Sequence, residues 1–171
     1  MHRAYWYLTL FVCLIIIITL IYFSFFTPVT TVILVRHVER LNDSDTTSLS
    51  ESGLQRAATL AHVVGASGID RIFVSEKVRT LQTAAPTAAA IGVAPVQITA
   101  SETDRWVDSV DAHKGEEILI VGHSDTVPKI MDALGVSSPP TIERNEFDDL
   151  FVVTIYRFRV TMIRLKYGTP T

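Results

Sequence analysis

The stretch "TVILVRHVER" (Thr31–Arg40) passes from an unbroken apolar run to charge within a few residues. An apolar run of this length, without alternation, reads as a strand buried on both faces, the habit of parallel sheets. A strand that only filled a core would end in a turn. This one ends in two adjacent cationic or imidazole side chains, Arg36 and His37, with Glu39 and Arg40 behind them. It reads as a strand that ends in a site.

The same ending recurs downstream. "EEILIVGH" (Glu116–His123) is a second buried strand that closes on a histidine, and "RIFVS" (Arg71–Ser75) is a shorter one. "APVQIT" (Ala94–Thr99) offers a further strand. Helical segments lie between them. Ser50 is placed to cap a helix over Glu51–Gly65, with apolar positions at Leu54, Ala57, Ala58, Leu60, Ala61 and Val64. A helix over Glu76–Ile91 is stopped by Gly92, a short one over Ser101–Gly115 ends at its glycine, and Asp125–Leu134 precedes Gly135. "SSPPTIERNEFDD" (Ser137–Asp149) is a loop, and Leu150–Tyr156 with Val160–Lys166 forms a closing hairpin. Strands alternating with helices predict an α/β fold, a mostly parallel central sheet with helices on both faces, edged by the antiparallel hairpin.

Before this pattern, residues Ala4–Phe26 carry no charge. About 20 apolar residues suffice to span a bilayer as a helix. This run is longer than the 7–15 residues typical of a signal-peptide core, and no small-x-small cleavage site follows it. It predicts an uncleaved anchor over residues 1–28 and a domain over 29–171, joined by the short linker "TPVT" (Thr27–Thr30). Tyr5, Trp6 and Tyr7 near one end and Tyr22 near the other suit the two interfaces. It also explains a mean hydropathy of +0.31. Arg3 precedes the span and no Lys or Arg follows before Arg36, so the positive-inside rule puts the N-terminus in the cytoplasm and the domain outside it. The one cysteine, Cys13, lies inside the span, so the domain needs no disulfide. The chain holds 15 Lys and Arg against 18 Asp and Glu, and its acidic balance argues against a nucleic-acid surface.

In open α/β sheets, ligands bind beyond the carboxyl ends of the strands. Arg36, His37 and His123 arrive at that edge directly. "SEKVRTLQT" (Ser75–Thr83) brings Arg79 there about one turn into the helix after its strand. Two imidazoles and a carboxylate would suit zinc, but two guanidinium groups beside the ion would repel it. Two guanidinium groups with two imidazoles describe an anion pocket instead, since the guanidinium fork matches phosphate oxygens. Helix N-termini following the strands add backbone N–H donors. With a phosphoryl group bound there, a neutral imidazole can attack phosphorus, while the other groups balance the oxygen charge without a metal or other cofactor.

At this point "LVRHVE", "SEKVRTLQTA" and "VGHSDT" together resemble the three signatures of the histidine phosphatase superfamily, which groups phosphoglycerate mutases with small single-domain phosphatases. "LSESGLQRA" and "EFDDLFVV" are similar to stretches of its small phosphatase members. The resemblance covers Val32–Tyr167. It implies a three-layer α/β/α sandwich of the phosphoglycerate mutase-like kind. It also implies that His37 is the nucleophile, that Arg36 and Arg79 hold the phosphoryl oxygens, and that His123 donates to the same group. Val38 stands where the family usually has Gly or Ala, and is expected to narrow the pocket. The general acid is Glu102 if the mutase branch is the guide, and Asp125 if the acid-phosphatase branch is. Glu39 is expected to orient pocket groups or to pair with Arg40.

The expected activity is that of a membrane-tethered phosphomonoesterase acting through phosphohistidine. A phosphomutase, or a non-catalytic phospho-ligand binder on the same fold, are the alternatives. The nearby bilayer points to small-molecule, lipid or glycan phosphates as substrates.

Overall fold

The structure, a computed structural model, describes residues 2–25, 27–44 and 46–171. Helix α1 (His2–Phe25) precedes the sheet. Its Tyr5–Phe23 stretch has a mean hydropathy of 2.5, and none of it is buried. It is long and apolar enough to cross a membrane. The predicted anchor also takes in Met1 and Phe26, which lie outside the described residues.

The rest alternates as predicted: β1 (Thr30–Arg36), α2 (Glu51–Val64), β2 (Arg71–Ser75), α3 (Val78–Ile91), β3 (Val96–Ile98) and α4 (Thr103–Asp111). Then come β4 (Glu117–Gly122), α5 (Thr126–Ala133), β5 (Asp149–Tyr156) and β6 (Arg159–Lys166). The six strands form one sheet in the order β3-β2-β4-β1-β5-β6. The first four run parallel, and β5 and β6 add an antiparallel edge. Apolar residues of β1 and β4 alternate between the two faces. Val32, Leu34, Ile118 and Ile120 pack with Trp106 and Val110 of α4 and with Val127, Ile130 and Met131 of α5. Ile33, Val35, Leu119 and Val121 pack with Leu60 and Val64 of α2 and Ala84 of α3. The result is a three-layer sandwich with a core on each side of the sheet.

All four predicted helices after α1 are shorter than expected, α4 most of all. α3 begins at Val78 rather than Glu76, because the Ser75 hydroxyl and the Lys77 carbonyl are engaged by Thr80. α4 stops at Asp111, and the chain turns through His113 toward Gly115.

Topology then decides where a ligand fits. β1 and β4 are neighbours, yet the helix after β1 lies on one face and the helix after β4 on the other. Their connections leave in opposite directions and open a crevice above the carboxyl ends, which is the switch-point rule for open sheets. Register brings the two histidines to that crevice together. Arg36 pairs with Gly122, and the His37 N–H donates to the Gly122 carbonyl at 2.9 Å.

The exit of β1 is pinned from behind. Ser50 caps α2 by accepting from the Gly53 N–H at 3.2 Å. At Gly53 the helix crosses the Glu39 carbonyl so closely that an added Cβ would stand 2.2 Å from its oxygen. One turn on, buried Arg56 grips the Glu39 carboxylate through Nε at 3.0 Å and Nη2 at 2.8 Å. Its Nη1 donates to the carbonyls of Tyr167 and Thr169. Glu39 therefore pairs with Arg56 and not with Arg40, whose partner is Asp43. The reason is position: α2 folds back over the strand exit and reaches Glu39 first.

Candidate active site

The carboxyl ends of β1, β4 and β2 surround a cavity of about 450 Å³. Arg36, His37, Arg79, His123 and Asp125 all line it, so five of the six candidate site residues named from the sequence converge, Glu102 being the exception. The His37 and His123 rings lie 5.3 Å apart, edge to face at 64°.

His37 is almost completely buried. Its Nδ1 lies 2.8 Å from its neighbour's carbonyl, Val38 O. A carbonyl only accepts, so Nδ1 carries the proton and Nε2 keeps its lone pair. Burial, reinforced by Arg36, His123 and Arg79, pushes the imidazole down to about 3. The ring is neutral at physiological pH.

His123 bonds through Nε2 to the Ser75 hydroxyl at 2.8 Å. Ser75 sits at the end of β2 and also meets the Thr80 hydroxyl, at 2.9 Å. The other nitrogen of His123, Nδ1, is buried and has no hydrogen-bond partner among the described residues. Burial and Arg79 lower this imidazole to about 4.

Arg36 is held on two sides. Its Nη1 donates to the carbonyls of Glu143 at 2.7 Å and Glu146 at 3.0 Å. Its guanidinium carbon lies 4.2 Å from the centre of the Phe147 ring. The buried Nε has no acceptor among the described residues. Burial, with Arg40, Arg144 and Arg79 nearby, pushes the group down to about 10, so it stays cationic. Arg79, buried in the first turn of α3, faces it across the cavity.

Other residues at the cavity were missed from the sequence. Arg40, Lys77, Lys129 and Arg144 add four basic side chains to its lining. Arg144 and Phe147 come from the 137–148 loop, whose length was the signal, since long loops without regular structure are usually functional. Asp125 is the one carboxylate among the described residues that line the cavity, and it lies 3.7 Å from Lys129. Glu102 is placed differently from its expectation. It precedes α4, is exposed, and pairs with Arg105 at 3.2 Å one turn on, while its neighbours Ser101 and Thr103 face the cavity. Val38 does not narrow the pocket as expected. Its side chain is buried away from the cavity with Leu49 and Ala57, beneath α2.

Two neutral buried histidines carry a stability consequence. Each has a folded value below its ordinary 6.5, so between the two values the unfolded chain binds the extra protons. Their contribution is complete above pH 6.5 and is lost as the pH falls toward about 4 and then about 3. Two protons give a slope of up to about 2.7 kcal/mol per pH unit. Thermal melts of the phosphate-free protein should therefore fall steeply below pH 6.5, and His37→Asn with His123→Asn should flatten that fall.

Chemically, the cavity joins a fixed neutral imidazole to guanidinium groups suited to binding an anion. Ser124, Asp125 and Thr126, where the chain enters α5, also border it. The model of the Histidine phosphatase superfamily (branch 1) matches residues 32–104, which hold Arg36, His37 and Arg79. Among solved structures, the chain is similar to the protein histidine phosphatase SixA complexed with tungstate, at 15% identity and a TM-score of 0.64, covering 80% of this chain and 96% of that one. It is similar to the phosphoglycerate mutase from Bacillus anthracis, at 11% identity and a TM-score of 0.65, covering 81% and 93%. The mycobacterial glucosyl-3-phosphoglycerate phosphatase matches at 14% identity and a TM-score of 0.59, covering 74% and 90%. No curated protein matches the chain by sequence. Residues 32–104 thus match the histidine phosphatase superfamily, and the described residues from Thr30 onward adopt a phosphoglycerate mutase-like fold.

Proposed function

We propose that the chain is a phosphomonoesterase that works through a phosphohistidine on His37, without a metal. Its domain comprises residues 29–171, and residues 1–28 tether it to a membrane, with the N-terminus in the cytoplasm and the domain outside it. One observation carries the catalytic reading: the Val38 carbonyl holds the His37 Nδ1 proton, leaving Nε2 as a lone pair inside a cavity lined by Arg36, Arg79 and His123.

In the first step Nε2 attacks phosphorus and the bond to the leaving oxygen breaks, its electron pair staying on that oxygen. Arg36 through its open edge, Arg79, and His123 through Nδ1 bind the three oxygens that gather charge. In the second step water attacks phosphorus and the P–N bond breaks, returning its pair to Nε2. A carboxyl group gives a proton to the leaving oxygen and then takes one from the water. We assign that role to Asp125, because it lines the cavity and Glu102 does not. Arg40, Lys77, Lys129 and Arg144 support a substrate with negative charge beyond the reacting phosphate.

Asp125→Asn should slow hydrolysis of an alkyl phosphate by about 100-fold. It should lower kcat/KM for 4-nitrophenyl phosphate much less, since kcat/KM reports the first step and that leaving group departs without a proton. Glu102→Gln should stay within about twofold of wild type on both, as expected for an exposed ion pair. The reverse ranking would move the acid back to Glu102. The enzyme reading as a whole is tested on an aryl phosphate in chelator-treated buffer. Turnover is expected, and a wild-type protein that binds phosphate yet releases none from the ester would overturn it.

A further inference from the structure

The two ends of the sheet differ in what they meet. β1 starts at Thr30, five residues after α1 ends at Phe25, and finishes at the proposed catalytic crevice. At about 3.3 Å per residue, this strand carries His37 roughly 20 Å from the end where the apolar helix joins. The linker between them is seated on the domain. Gly115, with φ of 90°, lies so close to Pro28 that a Cβ there would stand 2.7 Å from the proline Cβ, and its N–H donates to the Thr30 hydroxyl at 2.9 Å.

The β5–β6 turn reaches the same end, since Thr30 pairs with Ile155. Arg157, at the turn, donates to the Phe23 carbonyl and, at 3.3 Å, to the Thr27 hydroxyl. Phe23 is the last residue of the apolar span, so this guanidinium stands at the level where the hydrocarbon would end. Phe158, the next residue, is wholly exposed, and Arg159 follows it. Arg157 also adopts φ of 57°, a conformation that tight hairpins normally give to Gly, Asn or Asp. An arginine in a left-handed turn, an aromatic ring in open solvent and a second arginine make a poor water-facing hairpin. They suit a bilayer interface, where aromatic rings and long cations are favoured.

We propose that the β5–β6 turn is a second membrane contact, with Phe158 in the interface and Arg157 and Arg159 at the head groups. The domain is then held upright, and its cavity opens on the side away from the bilayer. This deepens the phosphatase reading and rests on it and on the membrane anchor. The substrate is a phosphate ester presented from the aqueous phase, in place of the head groups of the bilayer that carries the enzyme.

The test uses the full chain in phosphatidylcholine–phosphatidylglycerol vesicles. In a Cys13→Ala background, which removes the one natural cysteine, an NBD fluorophore is attached at Phe158→Cys or at Glu51→Cys. Glu51 is exposed and starts α2 at the cavity end of the molecule. The label at 158 should emit at shorter wavelength and be quenched several-fold by nitroxide lipids, while the label at 51 should behave as in water. Equal exposure of both labels in protein that resists alkaline extraction would overturn the contact, and quenching at 51 alone would invert the orientation. Release by alkaline extraction would instead overturn the anchor, and the proposal with it. In the same vesicles, soluble phenyl phosphate should be hydrolysed and host-bilayer phosphatidate should not. Comparable hydrolysis of phosphatidate would overturn the aqueous-substrate assignment. Failure to hydrolyse either would overturn the phosphatase reading, while the labels still decide the contact.

Discussion

His37→Ala should reduce turnover of an aryl phosphate by about 10⁴-fold or more and abolish the acid-labile phosphoenzyme. The size of the effect follows from geometry. The buried ring presents one lone pair to the cavity, and its tautomer is set by the adjacent Val38 carbonyl. The other imidazole at the cavity is proposed to donate to the phosphoryl group through Nδ1, not to attack it. His123, with its ring centre 5.3 Å away, has its Nε2 already bonded to Ser75. The anion pocket should outlast the nucleophile, because Arg36 and Arg79 line the cavity independently of the imidazole. Phosphate should therefore still raise the melting temperature of the variant. Trapping labelled phosphate from a substrate after acid-free denaturation reads the intermediate directly. A phosphoenzyme that persists in His37→Ala would remove this residue as nucleophile.

Arg56→Ala should cost about 3–5 kcal/mol of stability, the range for breaking one partner out of a buried ion pair. For a protein of this size that lowers the melting temperature by roughly 10 °C. The arginine is buried and ties three separate segments together: the exit of β1 at Glu39, helix α2, and the C-terminal segment at Tyr167 and Thr169. Truncation leaves the Glu39 carboxylate, only 18% exposed, without its partner. Arg56→Lys keeps the charge but not the fork, and should fall between wild type and alanine. Adding Glu39→Gln to Arg56→Ala should recover part of the loss, since the stranded charge is then gone. If the double variant were less stable than Arg56→Ala by the full cost of Glu39→Gln alone, the two residues would not be coupled.

The sheet was legible in the sequence because burial on both faces forces unbroken apolar runs, and β1 and β4 have them. The histidine endings were legible for the same reason: a polar group after such a run has to lie at the sheet's edge. The geometry around them was not. Whether Glu39 meets Arg40 or Arg56 depends on how α2 folds back over β1, and Gly53 is the contact that permits it. The bulk of Val38 looked like an obstruction because its position is next to His37, the proposed nucleophile. Successive residues point to different sides, however, and its side chain belongs to the layer under α2. Glu102 was placed by its distance along the chain from Arg79, which says nothing of the direction in which a residue ahead of a helix points. The basic rim was hidden because Arg40, Lys77, Lys129 and Arg144 lie on four separate segments, each of which alone reads as an ordinary solvated surface.

The two carbonyls that hold Arg36 have a consequence for the thermodynamics of anion capture. A free arginine side chain carries about 2 kcal/mol of rotamer entropy, which an incoming anion would have to quench. Here Glu143, Glu146 and the Phe147 ring have already selected one rotamer, with Nε left open. That entropy is lost when the chain folds and not again when phosphate arrives. The 137–148 loop thus acts on affinity without touching the ligand, by making the guanidinium a rigid, preorganised receptor.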